Sequence, residues 1–312
     1  MTVPRTVGWG IALATMTALI SGVSVFANGL IVKEFADPVV LTGVRNAMVG
    51  AVLLAILLGS GGIGEIRALS TGRAGTLFLI AVIGGSIPFI LFFTGLAEAS
   101  GPGASFIHKT LFVWVSLLAV PFLGESLGLV QIAALGVLVV GVLLVGPTGA
   151  VGPGPAELMI LAATIMWAVE VVIARYLLSR AGVSVRLAAT ARMALGAVLI
   201  LGFLVITGRA GAIVALTSTQ WLLIAGTGAL LFGYVTTWYG ALQRAPASIV
   251  ASILVGGAVV TAVLVIARTG SVPAPSVELG LVLLAIGVVM AIAAGRRTAT
   301  VPQVAQTVDR DA

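Results

Sequence analysis

Five ionisable side chains stand inside long apolar runs of this 312-residue sequence: Arg45, His108, Lys109, Glu170 and Arg192. A charge at the centre of a membrane costs at least about 2.5 to 3.5 kcal/mol, so such residues usually face a bundle interior or an aqueous cavity. Proton transfer and recognition of a charged solute are the chemistry that they could perform. The chain has one His and no Cys, which excludes zinc fingers, iron–sulfur clusters, thiol nucleophiles and disulfide scaffolds.

Lys109, Phe112 and Ser116 follow one another at helical spacing, which places a cation, an aromatic ring and a hydroxyl on one helix face. Such a face is typical of a binding wall, on which Lys109 would pair with an anionic group of a substrate. The alternative is that Lys109 extends its ammonium to the outer headgroups. His108 points about 100° away from Lys109. Histidine is the side chain whose unperturbed pKa lies near neutrality, which makes His108 a candidate for proton coupling.

Glu170 is the one acid well inside an apolar run, and Trp167 lies one turn earlier on the same face. Glu170 could form an ion pair with Arg175 or Arg192. It could instead be a proton-coupling carboxylate or the partner of a substrate ammonium, with Trp167 as an aromatic wall. Arg45 and Arg192 occupy equivalent places in two apolar runs. They could be packing residues bonded to carbonyl groups. They could instead be gate or substrate-clamp residues, because the guanidinium fork binds a carboxylate through two hydrogen bonds.

A helix break is predicted at 84–88, where the sequence reads Gly-Gly-Ser-Ile-Pro. Pro88 removes a backbone hydrogen bond and the glycines permit a bend. Interrupted helices near the midplane indicate the binding site of a carrier, so Pro88 is a further gate candidate. The counterpart region contains Trp238 and Tyr239, which we expect to contact substrate.

The composition places the chain in a lipid bilayer: 60% of its residues are apolar and 8% are charged, whereas about a quarter of an average soluble domain is charged. The apolar runs do not alternate and are about 20 residues long, which indicates helices rather than membrane strands. We therefore predict an all-α integral membrane protein with ten transmembrane helices, at 8–32, 39–59, 74–97, 103–123, 126–146, 157–178, 187–207, 221–242, 246–267 and 277–295.

The distribution of Lys and Arg predicts the orientation. With the N-terminus inside, ten of these residues lie at inner ends and loops and three in outer loops: Arg5, Arg67, Arg73, Arg175, Arg180, Arg186, Arg244, Arg296, Arg297 and Arg310 against Lys33, Arg209 and Arg268. Both termini are then cytoplasmic, in the cytoplasmic or inner membrane. The polar tail 296–312 is expected to be disordered. Because the arginines are scattered singly, they form no patch for nucleic acid.

Loop lengths repeat between 8–146 and 157–295, each of which holds five predicted helices. An odd number of helices gives the second repeat the opposite orientation, which is the inverted-repeat arrangement of many secondary transporters.

The order and spacing of short motifs also resemble the EamA-type members of the drug/metabolite transporter superfamily, over roughly 8–295. The motifs are Phe26-Ala27-Asn28, Asp37-Pro38, Leu41, Arg45, Gly84, Phe92-Phe93, Gly95-Leu96, Gly124-Glu125, Gln131, Gly136 and Gly141. The resemblance implies a metabolite or amino-acid exporter with helices 5 and 10 at the periphery of a central cavity. The chain departs from the family pattern at Phe112, where many members carry proline, in the ninth helix, which has no proline, and at Arg268-Thr269-Gly270, which replaces a second Gly-Glu.

The sequence therefore predicts a secondary transporter, and an exporter of amino acids or other carboxylate-bearing solutes, working by alternating access as a monomer. Protons could be coupled to transport. No cofactor or metal is expected. A membrane-embedded enzyme is the alternative of another class, but His-Glu-x-x-His and Gly-x-Ser-x-Gly motifs are absent from the sequence. A passive channel or facilitator also stays open.

Overall fold

The computed structural model describes residues 5–98, 106–146 and 154–298. The secondary structure in these ranges is helical, and no β-strand occurs in them. The all-α prediction is therefore confirmed. Most of the tail predicted to be disordered, from residue 299 onward, lies outside the described residues.

Nine helices of the described chain are long and apolar enough to cross a membrane, and a tenth apolar helix has 17 residues. Nine of the ten predicted spans are therefore confirmed by length and composition. Their ends agree with prediction to within three residues, except at the predicted start at 103, which lies outside the described ranges. In chain order the ten helices are α1 Thr6–Glu34, α2 Pro38–Gly59, α3 Thr71–Glu98, α4 Phe106–Leu123, α5 Leu129–Val145, α6 Pro155–Ser179, α7 Val185–Ile206, α8 Ser218–Arg244, α9 Ala247–Thr269 and α10 Pro275–Arg297.

Capping residues set where several helices begin. The side chain of Asp37 accepts a hydrogen bond from the backbone N–H of Val39 at 2.9 Å, and Pro38 occupies the first turn of α2, as expected for an N-cap followed by proline. Thr217 and Gln220 form a reciprocal capping box at the start of α8. The chain therefore enters α2 and α8 at defined residues.

The helices pack in pairs. When the helices of one repeat are exchanged for those of the other, the same kinds of pair are obtained. Helix α1 packs against α8 and α9, and α6 packs against α3 and α4. Helix α2 packs against α7, and α5 packs chiefly against α10. The short helices Ile63–Arg67 and Gly211–Val214 occupy equivalent loops, after α2 and after α7. The contacts therefore follow an approximate two-fold relation between two five-helix repeats.

Helices α3 and α7 cross with their backbones in contact. A Cβ atom on Gly85 would lie 2.0 Å from the carbonyl oxygen of Arg192, and one on Gly196 would lie 2.7 Å from the Cα of Gly85. Both helices are π-helical at the crossing, over Ala81–Ser86 and Ala191–Leu195. Glycine is required for this approach, and π-helical turns are frequent at functional sites.

Candidate functional site

The carbonyl oxygen of Gly84 accepts two long-range hydrogen bonds. The indole N–H of Trp167 donates to it at 3.0 Å and Nε of Arg192 donates to it at 3.2 Å. In an α-helix this oxygen would accept from the backbone N–H of residue 88, but Pro88 has no N–H. The freed carbonyl therefore joins α3 of the first repeat to α6 and α7 of the second.

Glu170 packs against the backbone of Gly84. A Cβ atom at position 84 would lie 2.3 Å from Cγ of Glu170, so a larger residue there would displace the acid. Glu170 is fully buried, and its Oε1 accepts a hydrogen bond from the hydroxyl of Tyr239 in α8. Three predicted site residues, Trp167, Glu170 and Tyr239, therefore meet around one glycine.

Arg192 completes this group, which we call the Gly84 cluster: Gly84, Trp167, Glu170, Arg192 and Tyr239. The guanidinium of Arg192 lies over the ring of Tyr239, with Cζ 5.8 Å from the ring centroid. Glu170 is near enough to attract Arg192 electrostatically, but the two form no ion pair. Oε2 of Glu170 and Nη1 of Arg192 are buried and have no hydrogen-bond partner. The cluster thus holds an unused acceptor and an unused donor of opposite charge.

Trp167 also contacts three other aromatic rings. Its ring centroid lies 5.3 Å from that of Phe89, 5.4 Å from that of Phe92 and 5.1 Å from that of His108. Nδ1 of His108 is buried and has no hydrogen-bond partner. The structure therefore places His108 beside the Gly84 cluster in an aromatic environment.

Arg45 has different contacts from Arg192. Its Nη1 donates to Oδ1 of Asn28 at 2.9 Å, and its Cζ lies 5.4 Å from the centroid of the Phe93 ring. The amide nitrogen of Asn28 donates to the backbone carbonyl of Ser24 at 2.8 Å, which turns the amide oxygen toward Arg45. The two arginines at equivalent sequence positions are therefore held by different partners.

The other predicted site residues lie outside these contacts. Lys109 is half-buried and forms no ion pair with any residue of the described chain. Phe112 is buried in the core, and Ser116 lines an apolar groove of about 300 Å³ between α4 and α5. Trp238 is buried and stacks on Tyr234, with 6.0 Å between ring centroids. The structure does not bring Ser116 and the Gly84 cluster together.

The suggested pairing of Glu170 with Arg175 is wrong. Nη1 of Arg175 donates instead to the backbone carbonyl of Leu242 at 2.6 Å. Nη2 of Arg180, farther along the same chain segment, donates to the backbone carbonyl of Leu123 at 2.5 Å. These arginines bond to carbonyl groups at the ends of α8 and α4, because the last carbonyls of a helix have no partner within it.

Two ion pairs between described residues join the repeats at their loops. In the first, which we call the Asp37 tie, Arg209 donates from Nε to Oδ2 of Asp37 at 2.7 Å and from Nη2 to Oδ1. In the second, the Glu65 tie, Arg186 donates from Nη2 to Oε1 of Glu65 at 2.7 Å, and the hydroxyl of Ser184 donates to Oε2. Asp37 caps α2 and Ser184 caps α7. The Asp37 tie therefore connects the start of α2 to the loop after α7, and the Glu65 tie connects the start of α7 to the loop after α2.

Glu125 caps α9 from the other repeat. Its carboxylate accepts from the backbone N–H groups of Ala247 at 2.6 Å and Ser248 at 3.1 Å. Gln131 donates to the hydroxyl of Ser248 at 2.8 Å. A carboxylate at a helix N-terminus bonds free N–H groups and complements the helix dipole. Ser271 stands at the equivalent place, because it follows the left-handed glycine that ends α9 as Glu125 follows Gly124 after α4, and it has no carboxylate for the reciprocal contact.

A family model described as the EamA-like transporter family matches residues 8–146 and 154–293. The chain belongs to the EamA-like transporter family. Each match covers one five-helix repeat, so the repeats seen in the packing are two copies of the family's unit. This membership makes the protein a multi-pass membrane transporter, and the resemblance expected from the sequence motifs is confirmed.

A solved structure gives an independent comparison of the fold. A structure titled "Crystal structure of protein" is similar to this chain with a TM-score of 0.70, over 91% of this chain and 99% of that chain, at 19% identity. At this identity the likeness shows the EamA-like chain's fold alone. None of the curated proteins matches the chain.

Several residues of these contacts were not among the sequence-predicted site residues. Asn28 and Asp37 lie in motifs that resemble the family, and Asp-Pro signals an N-cap, but their partners are distant in sequence. Glu65 and Arg209 lie in loops where only charge marks them. Long-range partners of this kind have no local sequence signal.

Replacing Tyr239 by Phe tests the hydrogen bond within the Gly84 cluster. We expect the free energy of unfolding to fall by about 1–3 kcal/mol, because both oxygens of a buried carboxylate would then lack a partner. Unfolding of the purified protein in detergent measures this loss. Tyr234→Phe is the matched control, since Tyr234 lies in the same helix and stacks on Trp238, whereas the bond to Glu170 comes from Tyr239. Equal losses in the two variants would contradict the assignment.

Proposed function

We propose that the protein is a secondary transporter that exports small metabolites, foremost amino acids or other carboxylate-bearing solutes, by alternating access. The observation that carries this proposal is the Gly84 cluster, in which a buried acid and a buried arginine each keep one atom without a partner. An amino acid carries an ammonium and a carboxylate, which are the complements of Oε2 of Glu170 and Nη1 of Arg192.

The position of the cluster supports a transport role. Its side chains come from α6, α7 and α8 of the second repeat, and its carbonyl group comes from α3 of the first. Movement of one repeat against the other would therefore change the site. In the inverted repeats of secondary transporters, substrate sites lie at such interfaces and use interrupted helices; α3 and α7 are both interrupted by π-helical turns.

The balance of charge in the spans favours an anionic group on the solute. Arg45, Lys109 and Arg192 stand against the single acid Glu170. Trp238, Phe112 and Ser116 stay candidates for substrate contact through movement of their helices. His108 and Glu170 stay the candidates for proton coupling, and the protein is proposed to work as a monomer.

The proposed topology has ten membrane-crossing helices with both termini in the cytoplasm. Helix α5, with 17 residues, spans about 25 Å at 1.5 Å per residue, which suits a peripheral helix in a bilayer core of about 30 Å with some thinning. The excess of Lys and Arg on one side sets the orientation in the cytoplasmic or inner membrane.

The two ties suit alternating access because they lie at opposite ends of the bundle. The Asp37 tie closes the loops at the proposed outer face, and the Glu65 tie closes those at the inner face. Both ties are formed in this structure. Opening toward one side would break one tie and keep the other.

Counterflow in proteoliposomes tests the proposed substrate class. We expect exchange of one or more carboxylated solutes from a pool of amino acids and other carboxylates. Glu170→Gln is expected to slow that exchange by about tenfold or more, since a charged hydrogen bond is lost. Lys109→Ala, measured beside it, reports whether Lys109 contributes to anion binding.

Exchange of a neutral or cationic solute without any carboxylated one would contradict the proposal. An imposed pH gradient separates coupled from passive transport: a rate that the gradient does not change would remove the coupling roles of His108 and Glu170.

Breaking one tie should bias the transporter toward one face. Because the chain has no Cys, Val49→Cys, in the core of α2, supplies a single reporter for a membrane-impermeant maleimide added outside. Asp37→Asn keeps the helix cap but loses the ion pair, and we expect labelling to speed up by about two- to fivefold, the worth of a partly exposed ion pair. Arg186→Gln should slow it.

The control variant for these labelling rates is Arg67→Gln, at an exposed residue with no ion pair in the described chain. We expect it to label at the same rate as the protein that carries only the reporter cysteine. If Asp37→Asn and Arg186→Gln shift labelling in the same direction, the ties do not act as opposing gates.

A further inference from the structure

Arg45 is a buried cation that no acid balances. Its exposed fraction is 3%, and the two ion pairs of the described chain involve other arginines. Outside the described ranges, 1–4, 99–105 and 147–153 contain no Asp or Glu, and the remaining acids lie in 299–312, at the end of the tail. Within the membrane, no carboxylate of the described chain therefore balances the charge of Arg45.

Arg192 differs from Arg45 in having a carboxylate nearby. Arg192, at the equivalent place in the second repeat, has the carboxylate of Glu170 beside it, and its Nε bonds to the Gly84 carbonyl. Among the residues that the structure describes, Arg45 has only the neutral amide oxygen of Asn28 and the face of the Phe93 ring. Since a buried charge without a counter-ion is costly, the difference indicates that a counter-ion arrives from outside the chain.

One edge of the Arg45 guanidinium is free to bind it. Nη1 is used by Asn28, whereas Nε is buried and has no partner, and Nη2 donates no hydrogen bond in the described chain. In the same protein, Arg209 holds the carboxylate of Asp37 through its Nε and Nη2. The free edge of Arg45 is therefore the one that binds a carboxylate in a bidentate manner.

We propose that the Nε–Nη2 edge of Arg45 is a binding site for a carboxylate anion, separate from the Gly84 cluster. Arg45 lies seven residues into α2, about 10 Å from the start of the helix. The role of this site in transport rests on the proposed function: the site receives the carboxylate of the transported solute near the outer face. A small free carboxylate is the other source of the same chemistry.

Acetate is the probe that tests the site without transport. The melting temperature Tm of the purified protein in detergent is measured with sodium acetate and with acetamide, its neutral analogue, while sodium chloride keeps the ionic strength equal. We expect acetate, and not acetamide, to raise Tm by a few degrees, because a ligand that binds the native state stabilises it. Arg45→Gln should lose this response.

Asn28→Asp tests the same site in a chain that keeps Arg45. The new carboxylate would replace the amide oxygen that Arg45 already bonds, so it supplies the missing counter-ion from within. We expect a higher Tm without ligand and no response to acetate. Arg268→Gln, at an exposed arginine outside the site, is the matched control and should respond like the unmodified protein.

Two results would overturn the proposed carboxylate site at Arg45. One is an acetate response that survives in both Arg45→Gln and Asn28→Asp. The other is a response that Arg45→Gln keeps and Arg192→Gln loses, which would place the anion in the Gly84 cluster instead.

Exchange of an amino acid and of its amide in proteoliposomes connects the site to transport. We expect Arg45→Gln to reduce the preference for the acid by about tenfold. If the acetate response depends on Arg45 but no carboxylated solute is exchanged, the anion site stands and the proposed substrate class fails. If carboxylated solutes are exchanged and Arg45→Gln changes neither measurement, the proposed function stands and the site fails.

Discussion

The carbonyl oxygen of Gly84 is the contact on which the centre of this transporter depends. In a bilayer, a backbone polar group that loses its helical partner must find another within the protein. Pro88 removes the partner, and Trp167 and Arg192 replace it from the other repeat. Because position 84 has no side chain, Glu170 packs against the same backbone and meets Tyr239. A single missing N–H thus brings together a backbone carbonyl of α3 and side chains of α6, α7 and α8.

The sequence predicted the elements well because their signals are local. Runs of apolar residues define the helices, and paired loop lengths revealed the repeats. Pro88 and the two preceding glycines marked the interruption of α3. The π-helical turn of α7, over Ala191–Leu195, contains neither glycine nor proline, so no local residue type marked it. It occurs where Gly85 brings the backbone of α3 against Arg192.

The candidate site could be predicted only in part. Trp167 and Glu170 share a helix face, which their spacing showed, but their partners Tyr239 and Gly84 are set by the packing of other helices. The same limit explains why Arg175 was a plausible partner for Glu170: it is near in sequence, whereas the structure bonds it to Leu242. Charge type alone also did not separate Arg45 from Arg192. Their different neighbours in space suggest different roles.

The measurement that tests this account most directly is transport by Pro88→Ala, compared with Pro121→Ala in α4. The new backbone N–H at position 88 would compete for the Gly84 carbonyl. We expect Pro88→Ala to keep or raise Tm, since an interior proline is removed, and to lose most solute exchange. Pro121→Ala, at an exposed position, should exchange solute normally. Normal exchange by Pro88→Ala would contradict the account, because the freed carbonyl would then not be needed to assemble the site.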